Sequence, residues 1–491
     1  MTANGSPFYE PLSARDAWFL YAERPSTPLD LGTVYVFEAG SRVPGGRGAL
    51  GIEQTIRERI HLVPRYRQRI QRTPMNIAHP VWVDDPHFNL DYHVRHSALP
   101  PPGTVQDLEN LMGRLMSHEL DRHRPLWEVS MVEGLPDDRW AMITKAHHCM
   151  VDGVSGTDLM AVLLDREPAA AMVGVEPWTP APEPSDFQLT VQALSRLGGR
   201  PAREFLAQPF AGLHPRTAWS RAKSVAAGLQ SFGARLTAPG KVVSVEGSIG
   251  PNRRWAAGRC AFSDVKDIRS AFGGSVNDVV LAAVTGAFRR VLIERGDPVD
   301  DVVLRSLVPV SVRHADDHAW NNQVSLILAD LPVGIADPVE RLRAVQHQMQ
   351  ELKASHQVTA GEAVIATAEF LPPILLSLGA RAVMSVMRKS PQRTINTVTT
   401  NVPGPQFPLY ALGHEMLEYL PFVPLSEGIR IGVAILSYNG RLTFGVTGDY
   451  DTAPDVHFMA EQIEAEVRRL RARAGKPNTT KSGRRSKEMA R

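Results

Sequence analysis

The sequence predicts an α/β protein built from two halves that an extended linker joins. With 491 residues, the chain is too long for one ordinary domain of about 100–200 residues. Strand-like and helix-like segments alternate on both sides of a proline-rich stretch, residues 176–184, which cannot continue a helix or a central strand. We therefore predict a first half over residues 1–178, a crossover over residues 179–240, a second half over residues 241–473 and a disordered basic tail over residues 474–491.

The first half alternates amphipathic helices with short strands. Apolar residues at helical spacing predict a helix, whereas short β-branched or aromatic runs predict a strand. The predicted elements are helices at residues 11–20, 51–62 and 105–120 and strands at residues 32–37, 126–132 and 140–146. Ser155 is placed to cap a further helix that follows the last of these strands.

The second half follows a weakly helical stretch and is signalled more strongly. Its predicted elements are strands at residues 255–262, 302–312, 323–331, 429–438 and 441–447 and helices at residues 276–295, from 338 and from 454. Asp337 is the predicted cap of the helix from residue 338. Asn439-Gly440 between two strand patterns predicts a β-hairpin.

Composition excludes several classes of protein. The formal charge is +2, from 54 basic and 52 acidic residues, so nothing marks the whole chain as a nucleic-acid binder. The two cysteines exclude a disulfide framework and fit a reducing cytoplasm. No secretory signal is visible, and prolines and charges interrupt the most apolar window, residues 364–387, too often for a transmembrane helix. The basic tail is either a solubilising terminus or an attachment to anionic lipid.

Two adjacent imidazoles stand at the junction of a predicted strand and a predicted helix. Residues 147–153 are HHCMVDG, so His148 lies four residues before Asp152. A histidine near its ordinary pKa of about 6.5 can take a proton from a hydroxyl and return it to a leaving group. Successive side chains of an extended segment point to opposite faces, so His147 and His148 cannot share one role. The alternative is that both histidines are structural and that Asp152-Gly153 is only a turn.

Other chemistries fit this stretch less well. The two histidines with Asp152 lack the spacing of a helical H-E-x-x-H site, so we predict no metal. Ser155 lies in GVSG, which is not the G-x-S-x-G pattern of a nucleophilic serine. We interpret Cys149 as a small buried residue.

The HHxxxDG pattern resembles the signature of the CoA-dependent acyltransferase superfamily, which includes chloramphenicol acetyltransferase and peptide-synthetase condensation domains. Further segments resemble the bacterial wax ester synthase/diacylglycerol acyltransferase family, and the likeness runs from about residue 8 to residue 472. These segments are PLS with Asp16, RPLWE at 124–128, SVNDVV at 275–280, VPVSVR at 308–313 and TNVPGP at 400–405. One departure is Asn321-Asn322-Gln323, where the family pattern has Gly-Asn ahead of the strand.

The resemblance implies a fold and a mechanism. The fold would be two chloramphenicol-acetyltransferase-like domains with mixed sheets and an active site at their interface. His148 would act as general base in a direct transfer from acyl-CoA to a hydroxyl, without a covalent acyl-enzyme. His147 would be the supporting, inward-facing histidine. Asp152 would be architectural and paired with an arginine, for which Arg313 is a candidate. Asn277 would donate or accept a hydrogen bond near the site, or it belongs only to a helix start.

The resemblance also implies the substrates. They would be acyl-CoA as co-substrate, with no bound cofactor, and diacylglycerol or a long-chain alcohol as acceptor, so that the product is triacylglycerol or a wax ester. The protein would be cytoplasmic, with contact to the inner membrane face or lipid droplets and none to nucleic acid. Residues 364–387 would meet lipid there, or form a buried helix pair. The alternatives are a non-catalytic lipid-binding or lipid-droplet protein of the same fold, and an acyltransferase acting on polyketide-type alcohols or amines.

Overall fold

The computed structural model of the chain describes residues 9–38, 48–150, 162–169, 174, 177–198, 242–311, 324–354, 378 and 395–475. The predictions on Asp152, Ser155, Arg313 and the basic tail from residue 476 lie outside the described residues, as do all but one of residues 364–387 and most of the crossover.

The strands and helices of the described chain follow the predicted alternation. In chain order, the strands are β1 (Glu10–Pro11), β2 (Asp30–Phe37), β3 (Gln68–Gln71), β4 (Val81–Asp84), β5 (Val94–Ala98), β6 (Trp127–Glu133), β7 (Trp140–His147), β8 (Glu246–Gly247), β9 (Arg253–Ala261), β10 (Leu304–Ser311), β11 (Val324–Leu331), β12 (Thr397–Pro403), β13 (Tyr410–Ala411), β14 (His414–Phe422), β15 (Gly428–Ile429), β16 (Ile431–Tyr438) and β17 (Arg441–Asp449). The helices are α1 (Ala14–Ala22), α2 (Gly48–Arg59), α3 (Leu90–His93), α4 (Val105–Leu115), α5 (Asp186–Gly198), α6 (Phe262–Phe272), α7 (Val276–Glu294), α8 (Pro338–Ala354) and α9 (Val456–Ala474).

Two mixed six-stranded sheets organise the molecule. The first has the order β13-β14-β2-β7-β6-β5, and the second has the order β11-β10-β12-β16-β17-β9. In the first sheet β5 runs parallel to β6 while β2, β6 and β7 pair antiparallel. In the second sheet β12 runs parallel to both of its neighbours. The second sheet takes all its strands from residues 253–449, whereas the first combines four strands from residues 30–147 with β13 and β14.

Strand β14 crosses from the second half of the sequence into the first sheet. It pairs antiparallel with β2, with Leu420 opposite Val34. It also touches the second sheet, because Trp255 Nε1 donates to Pro421 O at 3.1 Å and Thr443 Oγ1 donates to Tyr419 O at 2.6 Å. The two sheets therefore meet along this strand.

Helices cover each sheet as their apolar stripes predict. On α4, Met112 packs against β2 at Gly32, where an added Cβ would lie 2.6 Å from the methionine methyl carbon. The predicted stripe of α7 is buried from Val280 to Val291 in the core of the second sheet. A buried ion pair between Arg341 on α8 and Glu466 on α9 ties these helices together, and side-chain exposure of the pair is 2% and 3%.

Turn and capping residues in the sequence correctly predicted where several strands and helices begin or end. Asn439 and Gly440 both have positive φ, 41° and 79°, and join β16 to β17 in the predicted hairpin. The Asp337 side chain accepts from the amides of Val339 and Glu340 at the start of α8, as a cap does. The predicted helix at residues 105–120 is shorter than expected and ends at Leu115. Within the described residues, the helices are too short or too polar to span a bilayer.

Candidate functional site

The two histidines stand at the carboxyl end of β7, where the chain leaves the first sheet. His147 is the last residue of the strand, and its amide donates to Leu126 O at 2.9 Å. The His148 amide donates to Leu29 O at 3.0 Å, and the Met150 amide closes a turn on His147 O at 2.9 Å. Backbone segments on both sides of β7 therefore hold the two histidines.

The His147 ring lies in the interior beside a carboxylate. It is 1% exposed, and its Nε2 is 3.3 Å from Glu23 Oε2. The Cys149 amide donates to Nδ1 at 3.1 Å, so Nδ1 holds a lone pair and the proton resides on Nε2. Burial lowers the pKa of His147, while the Cys149 sulfur and the Glu23 carboxylate raise it, and the net direction is upward. Because the amide opposes a proton on Nδ1, Nε2 is the nitrogen that carries the proton, and it faces the Glu23 carboxylate.

Glu23, directly after α1, links the histidine pair to two other segments. Its Oε1 accepts from the Leu29 amide at 2.9 Å, and its Oε2 accepts from Arg122. Burial raises the pKa of Glu23, but His147, the Leu29 amide and Arg122 outweigh it and bring the pKa to about 2. Glu23 is therefore a carboxylate under all physiological conditions.

A second ion pair, between Lys145 and Asp30, lies next to the pair formed by Glu23 and Arg122. Asp30 is opposite His147 in the register of β2 and β7, and Lys145 Nζ is 3.2 Å from its Oδ2. Burial raises the pKa of Asp30, and Lys145 opposes that rise. Lys145 Nζ also donates to Leu115 O at 3.0 Å and to His118 O, so it satisfies carbonyls at the end of α4.

Among the described residues, one group of three has the spacing of metal ligands. Atoms of Glu23, Asp30 and His147 all lie within 4.8 Å of one another. Arg122 and Lys145 already neutralise the two carboxylates. His147 would have to offer the lone pair of Nε2, which requires a proton on Nδ1 where the Cys149 amide donates. The donor set thus fits buried charge pairing better than a cation.

His148 has a different environment from His147. Its ring stacks on Phe19 of α1, with centroids 3.7 Å apart and an interplanar angle of 11°. Burial lowers the pKa of His148 to about 4, against an opposing contribution from its own backbone carbonyl. Its Nδ1 is buried, but the residue as a whole is partly exposed. His148 is therefore a neutral imidazole at neutral pH, and Nε2 is the nitrogen left to meet a substrate.

Cys149 is a buried free thiol, as the sequence predicts. Burial raises its pKa, so the sulfur is protonated and is not an activated nucleophile.

The PLW segment anchors the strand next to the histidines. Trp127 is fully buried, donates from Nε1 to Tyr66 O at 2.8 Å and stacks on His93 at 4.5 Å. Leu126, one residue earlier, supplies the carbonyl that receives the His147 amide. The RPLWE segment, which resembles the family's sequence, therefore supports the backbone that carries the two histidines.

Asn277 lies at the start of α7, in the first turn of the helix. Ser275 and Asp278 form a capping box, the Ser275 amide donating to Asp278 Oδ2 at 2.7 Å. Asn277 Oδ1 accepts from Asn401 Nδ2 at 3.4 Å. The structure thus joins the SVND and TNVPGP segments, and within its described part it connects Asn277 to Asn401 rather than to the histidines.

Arg253 and Arg254, at the start of β9, both have structural partners. Arg253 is 3% exposed and donates to the carbonyls of Gly250 and Ser26. Arg254 donates to Tyr450 O at 2.7 Å and lies over the Tyr450 ring.

Sequence reasoning did not identify Phe19, Glu23 or Asp30 as parts of the site. Phe19 lies in the helix predicted over residues 11–20, whereas Glu23 lies beyond its predicted end. The sequence therefore does not show that the two side chains share a face, or what either of them contacts.

Comparison with known proteins gives the family. Residues 12–280 match the model of the wax ester synthase/diacylglycerol acyltransferase catalytic domain, and residues 320–471 match the WS/DGAT C-terminal domain. A protein of Mycobacterium tuberculosis (strain ATCC 25618 / H37Rv) named "Probable diacyglycerol O-acyltransferase tgs1" is 37% identical over 466 residues, 94% of this chain and 95% of its own. The chain belongs to the wax ester synthase/diacylglycerol acyltransferase family. It is therefore an acyltransferase, as the motifs predict.

Solved structures agree with this family. The wax ester synthase/diacylglycerol acyltransferase from Marinobacter aquaeolei VT8 is 26% identical, with a TM-score of 0.67 over 95% of this chain and 100% of that one. The starter condensation domain of rhizomide synthetase RzmA, with C8-CoA and Leu-SNAC, is 14% identical with a TM-score of 0.53, over 95% of this chain and 94% of that one, and shows the fold alone. The predicted class, an α/β fold of two domains with mixed sheets, is confirmed.

Proposed function

We propose that this member of the wax ester synthase/diacylglycerol acyltransferase family transfers a long-chain acyl group from acyl-CoA to diacylglycerol, with His148 as general base. The observation that carries the proposal is the state of His148: a neutral, partly exposed imidazole whose backbone and ring are both held. The name of the mycobacterial relative supports diacylglycerol as acceptor.

The proposed reaction is a single direct transfer. His148 Nε2 takes the proton of the acceptor hydroxyl while that oxygen attacks the thioester carbonyl carbon. The carbon–sulfur bond then breaks, and the imidazolium returns the proton to the departing sulfur. An ester and free CoA result, with no acyl-enzyme and no bound cofactor. His147 and Asp152 have supporting roles in this scheme, His147 through its contact with Glu23.

Substitution of each histidine tests the mechanism. General base catalysis contributes about 10²- to 10⁴-fold, so we expect His148→Ala to lower the rate of CoA release by about that factor. His147→Ala should mainly lower stability, since it removes a buried partner of Glu23. A larger rate loss at His147 than at His148, in folded proteins, would show that the two roles are reversed.

The acceptor is tested by comparing alcohols and amines with one acyl-CoA. Diacylglycerol, hexadecanol and a long-chain amine are supplied in separate assays, and both free CoA and the acylated product are measured. We expect triacylglycerol formation to be fastest. Wax ester synthesis is the second candidate, which the name of the Marinobacter structure favours. If no acceptor leads to release of CoA, the result would support a lipid-binding protein that has lost turnover.

The proposal includes a cytoplasmic protein that meets a lipid surface at the inner membrane face or at lipid droplets, because diacylglycerol is dissolved in lipid. Flotation with diacylglycerol-containing vesicles tests this contact. Protein that stays at the bottom of the gradient at low salt would contradict it.

A further inference from the structure

The end of α1 meets both histidines at once. Phe19 and Glu23 lie one helical turn apart, and the Glu23 amide donates to Phe19 O at 3.0 Å. Phe19 covers the ring of His148, while Glu23 faces the ring of His147. A single short helix thus reaches the imidazole proposed as base and the imidazole that supports it.

Glu23 reaches the backbone of His148 by one route through Leu29. Its Oε1 accepts from the Leu29 amide at 2.9 Å, and the carbonyl of the same residue accepts from the His148 amide at 3.0 Å. The position of the Leu29 peptide units therefore depends on the Glu23 carboxylate, and the position of His148 depends on Leu29.

A second route runs through His147. Glu23 Oε2 lies 3.3 Å from His147 Nε2, and His147 Nδ1 accepts from the Cys149 amide at 3.1 Å. This bond fixes the residue directly after His148. The backbone of His148 is thus held at its own amide and at the next one, and both constraints lead back to the same carboxylate.

Arg122 completes the arrangement without adding a route to His148. It pairs with Glu23, and its side chain is 35% exposed whereas that of Glu23 is 3% exposed. Water can therefore solvate Arg122 if its partner is neutralised, so Glu23→Gln does not leave a cation fully buried. Because Arg122 is exposed to water in this way, Glu23 can be neutralised by mutation without a large loss of stability.

We infer that Glu23 and Phe19, at the end of α1, are positioning residues that hold His148 in its reactive geometry. The inference rests on the proposed function, since it assumes that His148 is the base. Glu23 fixes the backbone on both sides of the imidazole, and Phe19 fixes the plane of the ring. Displacement of a reacting group by about 1 Å costs up to about 100-fold in rate.

The first experiment separates positioning from stability by steady-state kinetics. Glu23→Gln keeps the shape of the side chain and an oxygen for the Leu29 amide, but it loses the charge and places an amide N–H against Arg122 or His147. We expect kcat to fall about 10- to 100-fold while KM for acyl-CoA stays within about 2-fold. The matched control is Glu418→Gln, which changes a β14 carboxylate that is paired with Arg259 of β9. In this control kcat should be unchanged.

The second experiment asks whether Glu23 acts through His148. If it does, Glu23→Gln combined with His148→Ala should be no slower than His148→Ala alone, because residues that act as a unit are non-additive. A multiplied loss in the double variant would overturn the inference, and so would a folded Glu23→Gln protein with full kcat. Full activity of His148→Ala would instead refute the proposed function.

Phe19→Leu keeps the inference testable if Glu23→Gln does not fold. Leucine retains apolar packing against His148 but removes the stacked ring. We expect kcat to fall by about 3- to 10-fold, with KM little changed and no further loss on the His148→Ala background. A Phe19→Leu protein with wild-type kcat would then overturn the inference.

Discussion

Neutralising Glu109 should change how stability depends on pH. Glu109 lies on α4 where this helix meets the second sheet, and its Oε1 accepts from the Ala257 amide at 3.0 Å. Its Oε2 is 3.2 Å from His457 Nδ1 on α9. Burial raises the pKa of Glu109 to about 7, with Glu418 adding to the rise and the Ala257 amide and Arg259 opposing it.

The magnitude follows from this shift. The ordinary pKa is 4.5 and the folded value is about 7, and each unit corresponds to about 1.4 kcal/mol. The folded state binds the proton more tightly than the unfolded state, so stability is greatest below the unfolded pKa and decreases as pH rises through the folded pKa. Between pH 5 and pH 8, Glu109 should lower the free energy of unfolding by roughly 2–3 kcal/mol. No discount for solvent is needed, because the side chain is only 7% exposed.

The assay is urea unfolding at pH 5 and pH 8, followed by tryptophan fluorescence, to which buried Trp255 on the same strand as Ala257 contributes. Glu109→Gln keeps an acceptor for the Ala257 amide. Between pH 5 and pH 8, the free energy of unfolding of this variant should fall by about 2–3 kcal/mol less than that of the wild type. Glu461→Gln, on the exposed side of α9, is the control and should follow the wild type. Parallel pH dependence of Glu109→Gln and wild type would refute the reasoning.

Three further predictions concern packing, ion pairing and the base. Gly445→Ala places a Cβ inside the van der Waals radius of the Pro421 carbonyl oxygen on β14, and it should destabilise the protein by about 3 kcal/mol in urea unfolding; an unchanged midpoint would contradict this close approach. Glu466→Gln leaves buried Arg341 uncompensated and should cost about 3–5 kcal/mol, whereas Arg341→Met with Glu466→Leu should recover most of the loss; a double variant as unstable as the single one would argue against the ion pair. With the pKa of His148 lowered to about 4, kcat/KM should stay level from pH 8 to about pH 5, and an acid limb centred near pH 6.5 would contradict a neutral imidazole at neutral pH.

Much of the fold could be predicted from local signals because its physical causes are local. Asn439-Gly440 supplies the positive φ values that a two-residue hairpin needs, and the observed pairing of β16 with β17 follows from them. Asp337 caps α8, and apolar periodicity placed α7 within one residue of its observed end. The strand that delivers His147 was likewise predicted within one residue.

What could not be predicted depends on contacts between distant parts of the chain. No strand is predicted over residues 414–422, where β14 lies. Even a clear strand pattern does not say which sheet the strand joins. Glu23 lies far from His147 in sequence, and a lone glutamate after a helix has no pattern that distinguishes a buried carboxylate from an exposed one. The fold class and the histidine pair could therefore be predicted from the sequence. The residues that contact the pair could be identified only from the three-dimensional structure.

The crossing of β14 has a consequence for biosynthesis. Leu420 pairs with Val34, so almost the whole chain must leave the ribosome before β2 gains its second neighbour. Until then β2, which lies directly beside the histidine-bearing β7, has an open edge, and open strand edges promote aggregation in nascent chains. A fragment that stops before β14 is expected to be recovered in the insoluble fraction. Co-expression with the missing C-terminal part should return the fragment to the soluble fraction. The protein is expected to gain activity only after β14 has been synthesised.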